Sequence, residues 1–433
     1  MIKINSKNNN DNIKAKTPLY DGLKKYNALG RSRFHTPGHK GKIKGMSFEL
    51  DFTELPLTDN LYAPNGIIAK AERQAALYFG AQKTLFSAGG NTLCIQAMLK
   101  LAHRGKKMLV HRLAHVSVIN TMALLDIVPV WIYEQRINAK TVENLLKKHD
   151  ADAIFVTSPD YYGYIQDIGG LAEVCLKYNV PLLVDNAHGS HLKAFGLHPI
   201  SHGAAMTACS AHKTLPVLTG GAFLNINDKA FAEDAIMSMK LFSSTSPSYL
   251  ILASLDKSIK WLMEDGADEM RKTAQKVEHI KNIAEERGID VLKGQTDPLK
   301  LTLLIDGDNA YKHFEEHHIE PEMTDSGHAV FMCSPFNSDE DFICLQNAVT
   351  SLIPNPPQNV VLPKPYEMCL TPREAAFKKS YYENTEKCLG KIAAESPFLC
   401  PPGVPLIIAG EKITAEVIEN AINGRIFKIK VVQ

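Results

Sequence analysis

Lys213 is the amine in this sequence best placed to do chemistry. A lysine is ordinarily a solvated surface charge. Lys213 instead follows an apolar run ending at Cys209 and the triplet Ser210-Ala211-His212, and it precedes Thr214-Leu215-Pro216 and Gly220-Gly221. At the rim of a parallel sheet, such an amine would form a Schiff base with an aldehyde cofactor. Asp185 also closes a strand-like run. Alone it reads as a helix cap or loop aspartate. Beside Lys213 it reads as a carboxylate paired with a pyridine nitrogen, which keeps the ring protonated and a better electron sink.

Ser87-Ala88-Gly89-Gly90-Asn91-Thr92 joins a strand-like run to a helical stretch. Its glycines would let backbone N–H groups approach an anion, and a helix N-terminus favours a phosphate. Many such turns bind nothing, and this one matches neither the dinucleotide fingerprint nor the P-loop pattern. His115, in His111-Arg112-Leu113-Ala114-His115, reads as a capping or packing residue, or as a ring lying flat over an aromatic cofactor. His188 and His191 have the H-x-x-H spacing of metal ligands, but no third ligand shows a convincing pattern, so no metal is expected.

The elements that must position these residues are short apolar strands alternating with helices. Strand-like runs occur at 84–87, 108–110, 128–133, 153–157, 181–184 and 204–209, with helical patterns at 67–79, 92–101 and 168–178. That alternation predicts an α/β fold whose parallel sheet is covered on both faces. Ligands of such sheets sit outside the carboxyl ends of the strands. Ser158-Pro159, Asp185 to Gly189 and Ser210 to Lys213 all fall there.

Residues 1–16 read as a disordered polar arm and 17–65 as an N-terminal segment. The large cofactor-binding domain spans 66–255. A long charged helix over 256–290 would leave it for a smaller α/β domain, 256–355. A C-terminal domain, 356–433, would close with a short strand and then a helix.

The balance of 48 basic and 47 acidic side chains, net charge +1, gives no electrostatic case for a nucleic-acid or membrane surface. No apolar run is long enough to span a bilayer. The eight cysteines are scattered and form no C-x-x-C pair, so reduced thiols in a cytoplasmic protein are expected. The N-terminus lacks the apolar core of a signal peptide, which disfavours secretion.

Taken together, the motifs resemble the Orn/Lys/Arg decarboxylases, pyridoxal 5'-phosphate enzymes of fold type I. Thr36-Pro37-Gly38-His39-Lys40 looks like the family's TPGHK, and Asp51 to Leu55 with Asp59-Asn60-Leu61 resembles the segment after it. Arg112 to Val118 is similar to R-x-x-H-x-S-V, and Ser158-Pro159 with Tyr161-Tyr162-Gly163 to the S/N-P-x-Y-Y-G element. Asp185-Asn186-Ala187-His188-Gly189 looks like D-E-A-H-G, and Ser210 to Leu215 like S-x-H-K-T-L. Thr245-Ser246-Pro247-Ser248-Tyr249 is similar to T-S-P-S-Y, and Pro401 to Pro405 with Gly410-Glu411 to the C-terminal P-P-G-I-P and G-E. The eight stand in the family's order over most of the chain.

The resemblance implies a mostly parallel, seven-stranded-type sheet in the large domain and smaller α+β C-terminal domains. Lys213 would hold the cofactor, Asp185 would pair with its ring nitrogen, and His115 would stack on the ring with Ala187 on the other face. Ser210, His212, Gly90, Asn91 and Thr92 would surround the phosphate, with His188 among the cofactor contacts. Ser246 would reach a phosphate across the interface of a homodimer or higher homo-oligomer.

The implied reaction is α-decarboxylation of a basic L-amino acid, arginine first, then lysine or ornithine. Glu322 and Asp325 would meet the cationic tail, although their acidic turn reads equally as a solvated one. An aminotransferase or lyase on another amino acid, and a non-catalytic cofactor-binding protein, are the alternatives. Two departures stand out: Gly89-Gly90-Asn91-Thr92 carries fewer hydroxyls than the family's cradle, and Asn186 replaces the motif's Glu. Without the extra N-terminal domain of the long decarboxylases, the chain looks like the short form.

Overall fold

The computed structural model describes residues 15–43, 47–105, 107–358, 364–399 and 403–433. The polar stretch through residue 14, and Cys400-Pro401-Pro402 of the C-terminal motif, lie outside the described residues. Lys16 is tied to the fold. Its N–H donates to Gln74 Oε1 at 3.1 Å, and its carbonyl accepts from Gln74 Nε2 at 2.6 Å.

The main sheet has seven strands: β1 (Lys83–Ser87), β2 (Lys107–His111), β3 (Pro129–Ile132), β4 (Ala151–Thr157), β5 (Leu182–Asp185), β6 (Met206–Cys209) and β7 (Ala222–Ile226). Their order is β1-β7-β6-β5-β4-β2-β3. Strands β2 to β6 are parallel. Helices cover both faces, so runs such as Ala153-Ile154-Phe155-Val156 are apolar throughout rather than alternating. Neighbouring residues still separate by face: Ala153 and Phe155 join one core cluster, and Ile154 and Val156 another.

β7, which the expected strand runs do not include, runs antiparallel to both β1 and β6, so the sheet is mostly parallel. The physical reason is its connection. Between Cys209 and Ala222 lies only the one-turn helix Ala211–Thr214, too short to carry the chain back to the sheet's opposite end.

Four helices matter to the site. α1 (Pro18–Ala28) starts with Pro18, which needs no N–H partner there. The next two N–H groups, Leu19 and Tyr20, donate to Asp256 Oδ2 at 2.9 and 3.0 Å. α2 (Ile67–Phe79) packs Phe79 against Phe223, whose ring also meets Phe86 of β1. α3 (Gly90–Ala102) starts directly after β1 and buries Leu93, Met98 and Leu99 beneath the sheet. α4 (Val116–Leu125) is capped by the His115 side chain.

The chain leaves the large sheet along Tyr249–Trp261, a π-helical turn at Leu262–Gly266 and helix Ala267–Glu286. The uniform helix expected over 256–290 is therefore interrupted. At the π turn Gly266 packs so close to Trp261 that a Cβ would lie 2.9 Å from the indole. A second, antiparallel sheet follows in the order β8-β10-β9, made of β8 (Lys300–Leu303), β9 (Met323–Thr324) and β10 (Ala329–Met332). The last sheet pairs β11 (Ser380–Asn384) with β12 (Lys428–Val432). Here helix Ala415–Asn423 comes before the final strand, the reverse of the expected order. Lys428 to Val432 has the alternating burial of a strand with one covered face.

The C-terminal segment is anchored to the large sheet through a buried guanidinium. Arg112 Nη1 donates to the Pro405 carbonyl at 3.0 Å, and Nη2 lies 3.9 Å from Glu411 Oε2. The Val116 N–H at the start of α4 donates to the Gly403 carbonyl at 2.9 Å.

Candidate functional site

A cavity of about 230 Å³ opens outside the carboxyl ends of β4, β5 and β6. Lys213, Asp185, His115, Ala187, His188, Ser210, His212, Gly90, Asn91 and Thr92 all line it. Ser246 does not. It is exposed on the segment after helix Ala235–Phe242, and its N–H donates to Ser244 Oγ.

Asp185 ends β5 and is 2% exposed. Its Oδ1 accepts from Asn91 Nδ2 at 2.9 Å and from the Ala187 N–H at 3.1 Å. Both described hydrogen bonds fall on Oδ1, so Oδ2 is left for a ligand. Burial pushes the carboxyl up to about 6, against the opposing pull of Lys213 and of the two donors. A protonated ring nitrogen at Oδ2 would supply the missing countercharge.

Asn91 thus has a different task from the hydroxyl it replaces: its side chain orients Asp185. The Gly90 N–H is also committed, donating to the Gly220 carbonyl at 2.8 Å. Of this turn, the N–H groups of Asn91 and Thr92 remain for an anion, since the first turn of a helix leaves its donors unpaired. The other departure, Asn186, does not line the cavity. It is buried and donates to the Gly189 carbonyl and Cys209 Sγ, bracing the loop from below.

His115 both caps and lines the cavity. Its Nδ1 accepts the Ser117 N–H at 3.1 Å and pairs with Ser117 Oγ at 2.8 Å. Burial, with Lys213 nearby, holds the imidazole below its usual range and therefore neutral. Gly403 packs over this ring so tightly that a Cβ would lie 2.6 Å from His115 Cδ2, and Val404 completes the wall. His212 Nδ1 donates to the Gly221 carbonyl at 3.2 Å, with Ser210 Oγ 3.4 Å away.

Lys213 Nζ lies 2.9 Å from His188 Nε2. His188 Nδ1 faces a second amine, Lys300 Nζ, at 3.2 Å. Lys300 and Thr157 carry no motif in the sequence, and Tyr161 stands in the Ser158 to Gly163 motif without an assigned role. Thr157 immediately precedes the Ser158-Pro159 motif at the end of β4 and was within reach of it. Its Oγ1 is buried without a partner, as is Asn91 Oδ1, so two lining polar atoms await a ligand. Lys300 carries no local signal, because a lysine opening a strand usually points to solvent.

The acidic turn does not line the cavity. Asp325 accepts from Tyr162 Oη at 2.9 Å and His328 Nδ1 at 3.0 Å, which hold it below the usual carboxylate range. Glu322 accepts from Tyr161 Oη and so stands one side chain behind the wall. His191, the other half of the H-x-x-H pair, bonds Asp297 at 2.8 Å. Thr36 to Lys40 also lies away from the cavity, with His39 paired to Asp51 at 3.2 Å.

The buried carboxylate with an open oxygen, the lysine beside it and the unpartnered polar atoms fit pyridoxal 5'-phosphate. Comparison with known proteins agrees. The Orn/Lys/Arg decarboxylase major-domain model matches residues 17–325. The arginine decarboxylase of Bacillus subtilis (strain 168) is 32% identical over 450 residues, covering 92% of each chain. That of Halalkalibacterium halodurans is 29% identical, covering 92% of this chain and 91% of its own. Among solved structures, lysine decarboxylase A from Pseudomonas aeruginosa superposes with a TM-score of 0.81 at 16% identity, over 96% of this chain and 80% of that one. The chain belongs to the Orn/Lys/Arg decarboxylase family.

Proposed function

We propose that this amino acid decarboxylase acts on L-arginine, releasing CO2 and the corresponding amine. The observation that carries the reading is the meeting of Lys213, Asp185 and His115 in one cavity at the sheet's carboxyl edge. Arginine is placed ahead of lysine and ornithine because the relatives aligned over nine-tenths of this chain include several named arginine decarboxylases.

When bound, the cofactor supplies an electron sink for the pair left behind by departing CO2. The remaining work falls to the chain. Lys213 would hold the cofactor through its aldehyde, and its amine would keep a proton within the cavity for the substrate. Asp185 Oδ2 would keep the ring nitrogen protonated, and Asn91 fixes the angle of that carboxylate. His115, neutral and held by its cap, would lie against one face of the ring, with Ala187 on the other. Ser210, His212 and the N–H groups of Asn91 and Thr92 would hold the phosphate. Glu322, one side chain behind Tyr161, is the acidic group we assign to a guanidinium tail.

We place Ser246 at the phosphate of a second copy in a homodimer or higher oligomer. Met237 and Leu241, on the helix before it, are 61% and 64% exposed, an apolar surface suited to contact between copies. A cytoplasmic setting accords with the free thiols of the described cysteines.

The test is CO2 release by cofactor-loaded protein from a panel of L-amino acids, with visible spectra recorded alongside. Fastest release from arginine is expected. Faster release from lysine or ornithine would overturn the substrate assignment. Keto-acid exchange without CO2 would overturn the reaction.

A further inference from the structure

Lys300 comes from the second sheet yet reaches the back of the cavity, and it is 3% exposed. Strand β8 docks on the loop after β4. Thr302 Oγ1 donates to the Tyr162 carbonyl at 2.7 Å, and the Asp297 N–H donates to the Gly163 carbonyl at 2.9 Å. The Lys300 stem passes Gly163, where a Cβ would lie 3.3 Å from Lys300 Cδ. Its Nζ then meets three acceptors: the Tyr161 carbonyl at 2.7 Å, His188 Nδ1 at 3.2 Å and the Asp160 carbonyl at 3.4 Å. An ammonium has three N–H donors and no lone pair, so the three contacts account for its hydrogens.

The consequence passes through His188. With Lys300 an ammonium, His188 Nδ1 accepts from it. A neutral imidazole that accepts at Nδ1 carries its hydrogen on Nε2. That Nε2 lies 2.9 Å from Lys213 Nζ, so the shared hydrogen bond requires a lone pair on Lys213. We infer that Lys300 is a positioning residue that fixes His188 as the Nε2–H tautomer and thereby holds Lys213 as a neutral amine, ready to take the cofactor aldehyde.

The inference deepens the proposed function and rests on Lys213 being the lysine that holds the cofactor. Burial between two amines keeps His188 far below its usual range, consistent with a neutral ring. Burial also lowers Lys300 to about 8, so it remains mostly charged at neutral pH. Among the described residues, the other ionisable groups facing the trio are Tyr161, Asp160, Asp297, Glu322, Asp185, His115 and His191. Of these, Asp160 and Asp297 also lose a neighbouring cation when Lys300 is replaced, which is why the pH profile is read at Lys213 itself.

Lys300→Met keeps the length of the side chain and removes both charge and donors. Cofactor-free full-length protein would be mixed with pyridoxal 5'-phosphate across a pH series, reading the rate at which the yellow absorbance grows. Loss of a nearby like charge, and freedom of His188 to present a bare Nε2, both favour an ammonium at Lys213. The midpoint of the pH profile should therefore move up by about one unit. A folded Lys300→Met protein with the wild-type midpoint would overturn the inference, whereas a purely structural role would lower thermal stability and leave the midpoint in place.

If that variant fails to fold, ¹⁵N NMR of histidine-labelled wild-type protein decides. His188, assigned by its absence from His188→Gln, should carry its proton on Nε2. A proton on Nδ1, or on both nitrogens, would refute the tautomer. Failure of the underlying reading is separately visible, as yellow colour retained by Lys213→Ala.

Discussion

A single methyl group added at Gly403 tests whether the C-terminal segment holds His115 in place. Gly403 has φ +74°, and its carbonyl accepts the Val116 N–H at the start of α4. In Gly403→Ala the new Cβ would lie 2.6 Å from His115 Cδ2 and 2.8 Å from Nε2, well inside van der Waals contact, so the ring or the segment must shift. A left-handed alanine adds about 1 kcal/mol of backbone strain. A displaced imidazole also weakens its cap on Ser117 N–H, an interaction worth about 1 kcal/mol. Affinity for pyridoxal 5'-phosphate should fall roughly tenfold, the equivalent of about 1.4 kcal/mol.

The assay is an absorbance titration of cofactor-free protein in four forms: wild type, Gly403→Ala, His115→Ala and the double variant. His115→Ala removes the ring that the methyl group meets and leaves the backbone strain. In that background the effect of Gly403→Ala should shrink to what the backbone strain alone contributes, about 1 kcal/mol at most. The same tenfold loss in both backgrounds would refute the contact argument and leave backbone strain as the cause.

Three further outcomes are expected. Lys213→Ala should emerge from dialysis without cofactor colour, and full visible absorbance would mean that another amine holds the cofactor. Asp185→Ala should retain part of its cofactor but release CO2 on the order of a hundredfold more slowly; an unchanged rate would remove Asp185 from its role at the ring nitrogen. Burial raises the carboxyl of Asp256, beneath α1, from 3.8 to about 7. The folded state therefore binds the extra proton, and this contribution to stability is complete below 3.8 and lost as pH rises through about 7. Asp256→Asn cannot ionise, so its unfolding temperature should rise relative to wild type between pH 5 and pH 8, and a constant difference would exclude that titration.

Much of this protein was legible from one dimension. The helices at 67–79 and 168–178 coincide with Ile67–Phe79 and Ile168–Tyr178, because each has local helical periodicity and a clear stop: Gly80 at +73° after one, Asn179 at +53° after the other. Residues that close parallel strands, such as Asp185 and Ser210, converge wherever the strands pair in register, so strand ends alone were enough to gather them. β7 is not among the strand runs read from the sequence, and only its pairing with β1 and β6 reveals both the strand and its direction.

By itself, then, the sequence determined the strand-and-helix alternation and the reactive groups at the strand ends, since both follow from the spacing of residues within one element. Tertiary structure alone decided the rest: Asn91 turned toward Asp185, Ser246 left outside, Gly403 laid across His115, and Lys300 brought behind His188 from another sheet. Such contacts depend on how separately formed elements pack. A buried lysine or a close-packed glycine takes its role from a neighbour far away in the chain, and nothing in its own local pattern encodes that neighbour.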